Sequence, residues 1–232
     1  MGRPRLTGIV IQARMGSTRL PGKVLKDLSG RPMLSHIIER LKAVRNSDVL
    51  IVATSTNKAD NAVEEFCSRE GVDCFRGDEG DVLDRYYKTA LHFKLDHIVR
   101  ATADNPLVDP VEVSRLIDLH HKENADYTHS FGKLPIGVGA ECFSFGSLER
   151  SWRDGVKPNH REHVNEYIQE RPEAFRIEEL DIPVEKRAPN LRLTVDTPED
   201  FKRAEMIYEK LSRAGELITT EDAIRLCAML FR

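Results

Sequence analysis

The chain is poor in cysteine, which limits the kinds of site that its thiols can build. Its 232 residues include four cysteines, Cys67, Cys74, Cys142 and Cys227. They form no Cys-x-x-Cys pair, and their spacing fits no structural zinc pattern. This distribution argues against a disulfide scaffold and is typical of reduced cysteines in a cytosolic protein.

Long apolar runs and an excess of either charge are also missing. No apolar stretch approaches the ~18 residues that a membrane helix needs, and the run near the N-terminus is too short for a signal peptide. The 35 basic and 38 acidic residues leave a formal net charge of -3 at pH 7, which argues against a nucleic-acid-binding surface. We therefore expect a cytoplasmic protein with no membrane insertion and no nucleic-acid partner.

What the sequence does contain is an alternation of strand-like and helical patterns. Its 40% hydrophobic residues suffice for a sizeable core. The alternation predicts an α/β fold with a mostly parallel sheet covered by helices on both faces. We predict a single domain over residues 1–232, with a small β arm inserted at about 127–145. The predicted strands span residues 8–12, 49–53, 74–76, 97–101, 127–130, 141–145, 175–180 and 191–195.

The segment 11–30 joins the first predicted strand to the first predicted helix. Arg14, Arg19 and Lys23 lie in it among the small residues Gly16 and Ser17. Glycines allow close approach of the main chain, turn amides form an anion-binding concavity, and the cations pair with phosphate. Neither the GxxxxGK[ST] nor the GxGxxG fingerprint is present. A polyphosphate-binding loop and a solvated basic loop therefore both remain open.

Two aspartates follow predicted strands. Asp104 comes after 97–101, and Asp196 comes directly after 191–195. In open α/β sheets, ligands bind beyond the carboxyl ends of the strands. Two carboxylates beside a polyphosphate loop suit Mg²⁺, which binds one or two carboxylates together with phosphate oxygens. The alternatives are a turn residue for Asp104 and a residue that only precedes the Thr197 helix cap for Asp196.

A second polar cluster lies at residues 160–163. His160 and His163 are three residues apart on a predicted helix, but no third ligand of evident type accompanies them, so a metal site is not favoured. Arg161 and His163 remain candidates for contact with an anionic substrate. The single Trp152 is interpreted as a packing residue.

The motifs resemble those of a known family. Gln12-Ala-Arg-Met-Gly-Ser-Thr-Arg-Leu-Pro-Gly-Lys23 resembles the signature of cytidylyltransferases that activate acidic sugars, including CMP-Kdo and CMP-sialic acid synthetases. Segments 75–78, 81–86, 102–109, 161–164 and 191–200 are similar to its spore-coat polysaccharide biosynthesis protein F-like branch. The resemblance covers most of the chain. It implies a three-layer α/β/α nucleotidyltransferase fold, a homodimer, and Mg²⁺-dependent transfer of CMP from CTP to a sugar acid with release of pyrophosphate.

The resemblance also implies residue roles. Catalysis would rest on Arg14, Lys23, Asp104 and Asp196, with Mg²⁺ held by the two aspartates. The nucleotide would be contacted by Ala13, Arg14, Gly16, Ser17, Arg19 and Lys23, and its base or ribose by Thr54, Ser55 and Arg85. The acceptor would meet Glu141, Arg161 and His163.

Two departures from the family pattern leave the acceptor open. Thr102-Ala103-Asp104 stands where CMP-Kdo synthetases have Gln-Gly-Asp, and Gly139 stands where the closer branch has an acid. Two other functions therefore remain as alternatives. One is a glycosyltransferase that uses a nucleotide-sugar, although the DxD motif typical of those enzymes was not found between the central strands. The other is a non-catalytic nucleotide-binding protein.

Overall fold

A seven-stranded sheet between two layers of helices organises the computed structural model, which describes residues 5–230. The strands are β1 (Thr7–Gln12), β2 (Asp27–Leu28), β3 (Arg31–Pro32), β4 (Val49–Ser55), β5 (Asp73–Gly77), β6 (His97–Thr102), β7 (Tyr127–His129), β8 (Glu141–Ser144) and β9 (Ile177–Glu179). The helices are α1 (Met33–Lys42), α2 (Asn61–Glu70), α3 (Val82–Phe93), α4 (Pro110–Glu123), α5 (Phe145–Asp154), α6 (Pro158–Glu162), α7 (Glu166–Gln169), α8 (Pro198–Leu211) and α9 (Thr220–Leu230). Within residues 5–230, no helix is long and apolar enough to cross a membrane.

The sheet confirms the predicted mostly parallel α/β architecture. Its strands follow the order β5-β4-β1-β6-β8-β7-β9, while β2 and β3 form a separate hairpin. β1 pairs in parallel with β4 and β6, and β8 runs antiparallel to its neighbours β6 and β7. Gln12 lies opposite Ala53 on one side and Thr102 on the other. The three central strands therefore end together, at the edge where open α/β sheets bind ligands.

Alternation along the strands creates a core on each face of the sheet. Ile9 and Ile11 of β1 pack with apolar residues of α1, α2, α4, α8 and α9. Val10, between them, points to the opposite face and packs with α3, α5 and α7. This arrangement gives the three layers, with one helical layer on each side of a sheet that is buried on both faces.

The start of α8 shows how local sequence sets a helix boundary near the sheet edge. The Thr197 side chain accepts a hydrogen bond from Asp200 N at 3.2 Å, and the Asp200 carboxylate accepts one from Thr197 N at 3.0 Å. This reciprocal capping box, worth about 1 kcal/mol, confirms the helix start predicted at Thr197. The first helix, predicted from its sequence pattern over 32–44, spans Met33–Lys42, and Pro32 caps it as the last residue of the β2–β3 hairpin.

The predicted strand over residues 191–195 is wrong. Residues 191–195 form an irregular segment whose only β-pairing among the described residues is an isolated bridge between Ile136 and Arg192. Leu193 N and Thr194 N both donate to Ile136 O, at 2.8 and 3.1 Å, whereas Val195 N donates to Asp104 O at 2.8 Å. Because the backbone donors go to two different segments, no ladder forms. The bond to Asp104 O nevertheless brings the following residue, Asp196, beside Asp104.

The segment for which a β arm was predicted contributes strands to the main sheet. β7 and β8 pair with each other, β8 also pairs with β6, and β7 pairs with β9. Residues 130–140 form the connection between them and contact the 191–195 segment through Ile136. The division of the chain into a single domain remains a prediction.

Candidate active site

The basic loop after β1 is anchored to the sheet by a buried aspartate. Asp60 is 2% exposed. It accepts hydrogen bonds from Met15 N at 2.6 Å and from Ser55 N at 3.2 Å, and it also bonds the Ser55 hydroxyl. Farther along the loop, Gly22 has φ of +69° and donates from its backbone to Met15 O at 3.1 Å. Such a left-handed conformation favours glycine, and it turns the chain so that Lys23 points back towards the sheet edge.

Lys23 joins the two predicted metal-binding aspartates. Its Nζ lies 3.3 Å from Asp104 Oδ2 and 3.0 Å from Asp196 Oδ1, and it donates to Val195 O at 2.6 Å. We call Lys23, Asp104 and Asp196 the cation centre. The structure therefore brings together one residue from the opening loop and two from the polar turns that the sequence placed at the same edge.

Further contacts orient the two carboxylates. Thr102 Oγ1 donates to Asp104 Oδ1 at 2.5 Å. Arg19 Nη2 lies 3.2 Å from Asp196 Oδ1, and Arg192 forms a second ion pair with Asp196. Burial of the Asp196 carboxyl would raise its pKa, but the hydrogen bond and charge of Lys23, with the charges of Arg19 and Arg192, hold that pKa below its ordinary value. The centre thus favours the ionised form of Asp196.

A cavity of about 680 Å³ opens beside the cation centre, at the carboxyl ends of the central strands. Its volume is in the range of small-molecule and cofactor sites. Charged side chains from three parts of the chain line it, which suits a polyanionic ligand rather than an apolar one. The candidate residues that line it are Arg14, Gly16, Ser17, Arg19, Lys23, Asp104, Arg161, His163 and Asp196.

The α3–α6 wall of the cavity carries Arg161 in a fixed position. Its guanidinium contacts Asp81 Oδ2 from Nε at 2.7 Å and from Nη2 at 2.6 Å, and Nη1 donates to Trp152 O at 2.8 Å. Trp152 itself stacks on Tyr87 with ring centroids 4.2 Å apart, consistent with a packing role. His163 is exposed at the end of α6 and lines the same wall.

Five candidate residues lie outside the cavity wall. Ala13, Thr54, Ser55 and Arg85 are each at most 1% exposed, and Glu141 is fully buried. Ala13 N donates to Ala53 O at 3.1 Å, and Ser55 bonds Asp60. Arg85 Nη1 donates to Asp78 O at 2.5 Å, and burial lowers the pKa of its guanidinium. Ser55 therefore contacts Asp60, which in turn holds the basic loop through Met15 N. The nucleotide contacts assigned to Ala13, Thr54, Ser55 and Arg85 remain predictions.

Sequence reasoning missed several polar residues that line the cavity. Gln12 and Thr102 end β1 and β6, Arg100 lies two residues before Thr102, and Glu79 precedes α3. The alternation of β6 carried a signal, because Arg100 and Thr102 are polar at every second position of an otherwise apolar strand. That periodicity places them on one face, where they form the floor of the cavity.

Gly139, where the chain lacks the acid of the closer family branch, has no room for a side chain. A Cβ atom at Gly139 would lie 2.7 Å from Ser130 Oγ and 3.2 Å from Ser130 O. Among the described residues that line the cavity, none comes from 137–143. The missing acid at position 139 is therefore matched by close packing against Ser130, which follows β7.

The comparisons with known proteins agree with this geometry. Residues 8–218 match the profile described as "Cytidylyltransferase". The chain belongs to the cytidylyltransferase family. The spore coat polysaccharide biosynthesis protein SpsF of Bacillus subtilis is 37% identical over 220 residues, covering 90% of this chain and 91% of SpsF.

Solved structures show the same fold for this cytidylyltransferase. A cytidylyltransferase from Leptospira borgpetersenii matches with a TM-score of 0.88 at 31% identity, covering 97% of this chain and 95% of that one. CMP:2-keto-3-deoxy-manno-octonic acid synthetase, solved in complex with CTP, matches with a TM-score of 0.68 at 18% identity, covering 88% of this chain and 99% of that one. The second likeness shows the shared fold.

Proposed function

We propose that this cytidylyltransferase transfers CMP from CTP to a hydroxyl of a sugar acid, with release of pyrophosphate, in the synthesis of a surface polysaccharide. The observation that carries the proposal is the cation centre, where Lys23 Nζ lies 3.3 Å from Asp104 and 3.0 Å from Asp196 at the end of a charged cavity. The likeness to a spore coat polysaccharide biosynthesis protein and to a 3-deoxy-manno-octulosonate cytidylyltransferase, 33% identical over 149 residues, supports the choice of acceptor class.

The residues of the opening loop suit the triphosphate. Arg14, Arg19 and Lys23 line the cavity together with Gly16 and Ser17. In nucleotidyl transfer, negative charge builds on the leaving pyrophosphate, and fixed cations that face it lower the barrier. Positioning contributes further, because the attacking oxygen, the α-phosphorus and the leaving oxygen must be aligned.

The residues of the cation centre fit a divalent cation, and we propose Mg²⁺. Their carboxylates already converge on one positive charge, and oxygen ligands of this kind, together with phosphate oxygens, are those that Mg²⁺ prefers. Asp104 and Asp196 would hold the ion, which when bound would supply Lewis-acid stabilisation of phosphate and acceptor oxygens. Thr102 and Arg192 keep the two carboxylates in place. The homodimer and the cytoplasmic location remain predictions from the sequence.

The test is pyrophosphate release with CTP, Mg²⁺ and a panel of acids, namely 2-keto-3-deoxy-manno-octonic acid, N-acetylneuraminic acid and glucuronic acid. We expect release with at least one acid and a loss of about 100-fold or more in Asp104→Asn, since removal of one charge-stabilising group in a catalytic site has effects of this size. Asp73→Asn, at an exposed aspartate that begins β5, is the matched control and should keep full activity.

Two results would contradict the proposal. Thermal stabilisation by CTP, without release of pyrophosphate from CTP in the presence of any acid, would favour the non-catalytic nucleotide-binding protein. Full activity of Asp104→Asn with a working acceptor would instead remove Asp104 from the site.

A further inference from the structure

A buried ion pair lies in the floor of the cavity, on the side of the sheet that faces α3. Arg100 of β6 pairs with Glu141, which lies directly opposite it on β8. The Glu141 side chain is fully buried, whereas the Arg100 side chain is 18% exposed and lines the cavity. The pair therefore presents its cationic member to whatever occupies the cavity.

A second layer holds the pair in one geometry. Tyr127 Oη donates to Glu141 Oε2 at 2.5 Å, and Asn165 Nδ2 donates to Tyr127 Oη at 3.3 Å. Arg100 lies over the ring of Tyr86 at 5.9 Å from its centroid. Burial disfavours the charged guanidinium, but the charge of Glu141 outweighs this and raises the pKa of Arg100. The Arg100 guanidinium is therefore held in one position in the cavity floor and stays charged.

Stability alone does not account for such a pair. Removing two charges from water costs several kcal/mol per ion, and the mutual attraction of a buried pair often only offsets this cost. An apolar pair would fill the same position on two adjacent strands as well or better. A chemical use for Arg100 in the cavity supplies the missing reason.

Arg100 retains donor capacity that two other cations lining the cavity, Lys23 and Arg161, have already used. Its Nη1 bonds Glu141, while its Nε is buried without a hydrogen-bond partner. By contrast, Lys23 contacts both aspartates of the cation centre, and Arg161 is bound to Asp81. A guanidinium with free donors binds a carboxylate through two parallel hydrogen bonds, which gives both energy and orientation.

The position of Arg100 relates it to the reacting end of the site. Thr102, two residues farther along β6 and on the same face, donates to Asp104. Arg100 and Asp104 are therefore fixed by one strand, with Arg100 deeper beneath the α3–α6 wall. An acceptor whose hydroxyl reaches the cation centre would direct its other end along this floor.

We propose that Arg100 is a specificity-determining residue that binds the carboxylate of the acceptor, and that Glu141 and Tyr127 are its positioning residues. The inference rests on the proposed function and deepens it. It also gives Glu141, which the sequence analysis placed among the acceptor contacts, an indirect role through Arg100.

The test compares an acidic acceptor with its uncharged counterpart. Pyrophosphate release is measured with CTP and the panel acid that the unchanged protein uses best, and with the amide of that acid. Arg100→Lys keeps the positive charge but loses the paired N–H donors of the guanidinium. Arg100→Met combined with Glu141→Gln removes both buried charges, so that no unpaired carboxylate is left. Arg40→Lys is the matched control, because Arg40 is a buried arginine on the other face that donates to Val108 O and Ile218 O.

We expect KM for the acid to rise about 30-fold in both Arg100 variants, as the loss of a charge-assisted bidentate contact implies. KM for CTP should stay within about 2-fold, and the unchanged protein and the double variant should use the amide equally poorly. Glu141→Gln alone should reduce the preference for the acid over the amide without abolishing it. The Arg40→Lys control should keep that preference.

Each other outcome overturns the assignment in a recognisable way. A rise in KM for CTP with an unchanged KM for the acid would place Arg100 on the nucleotide. Equal losses with acid and amide would make the pair structural. If the unchanged protein releases pyrophosphate with no acid, the proposed function itself fails and the assignment of Arg100 fails with it.

Discussion

Two lysines in this protein are each held between two carboxylates, but their surroundings differ. Lys186 Nζ lies 2.9 Å from both Asp109 and Glu112, and its side chain is 8% exposed against 5% and 1% for its partners. Lys23 is 10% exposed, whereas Asp104 and Asp196 are 31% and 21% exposed. The carboxylates of the first group are almost fully buried, whereas those of the second are partly exposed and line the large cavity.

The hydrogen bonds of the carboxylates show the same contrast. Asp109 Oδ1 accepts from Val111 N at 2.9 Å and from Glu112 N at 3.1 Å, and its Oδ2 accepts from Thr220 Oγ1 at 2.6 Å. Burial would raise the pKa of Asp109, but these bonds and Lys186 lower it. The Lys186 group therefore ties the start of α4 to α9. In the cation centre the carboxylates are instead held by the side chains of Lys23, Thr102, Arg19 and Arg192, beside the cavity.

The comparison is tested most strongly by Lys186→Met. Removing the ammonium leaves the buried Asp109 carboxylate without a counter-charge, while Glu112 keeps its ion pair with Arg115. Breaking a buried pair in this way costs about 3–5 kcal/mol. We expect the free energy of unfolding, measured in urea, to fall by that amount. Activity per folded molecule should not change, because the group lies away from the cavity. A stable variant with lost activity would reverse the roles of the two lysines.

The matched change in the cation centre is Lys23→Met. Pyrophosphate release should fall about 100- to 1000-fold, as for removal of one preorganised charge from a catalytic site. The free energy of unfolding should change little, since the two aspartates are partly solvated. The control is Lys26→Met, which removes a lysine of the same loop that lies over the Phe201 ring at 5.0 Å. If Lys23→Met is fully active, the open centre has no role in the reaction.

The smallest expected effect per residue is on the free energy of unfolding in mild acid. It arises from two buried histidines, His97 and His120. His120 Nε2 lies 3.1 Å from His97 Nδ1 at the opposite sheet edge. Burial lowers the pKa of His97 to about 4 and that of His120 to about 3. Because the folded state binds protons less readily than the unfolded state, stability is complete above pH 6.5 and is lost as pH falls below it.

Between pH 7.5 and pH 5 the loss should reach about 2 kcal/mol for each of the two histidines. Urea unfolding across this range is the measurement. A flatter pH dependence in His120→Gln than in the unchanged protein is expected, and an identical slope would assign the acid sensitivity to other groups.

Several features of the site followed from sequence patterns that act locally. Arg14, Arg19 and Lys23 lie in a loop whose glycines and position after a buried strand are visible in the sequence. Asp104 follows β6 as predicted. The Thr197 cap of α8 was also evident, because a capping box depends on residues three positions apart.

Other features depended on partners distant in the chain. Thr54 and Ser55 are predicted from the sequence to contact the base or ribose, yet both are buried, and Ser55 bonds Asp60. Residues 191–195 have the composition of a strand, but their donors are used by Ile136 and Asp104. Arg100 gave only a weak periodic signal, since its significance depends on Glu141 across the sheet.

The sequence by itself determined the α/β alternation, the cationic loop and the family, because periodicity, turn residues and motif spacing are properties of neighbouring residues. Only the tertiary structure decided that Asp104 and Asp196 meet at Lys23, that the carboxylates beside Lys186 are buried while those beside Lys23 are partly exposed, and that Arg100 faces the cavity with Glu141 behind it. Burial and charge pairing are set by residues brought together from distant parts of the chain, and no local pattern records them.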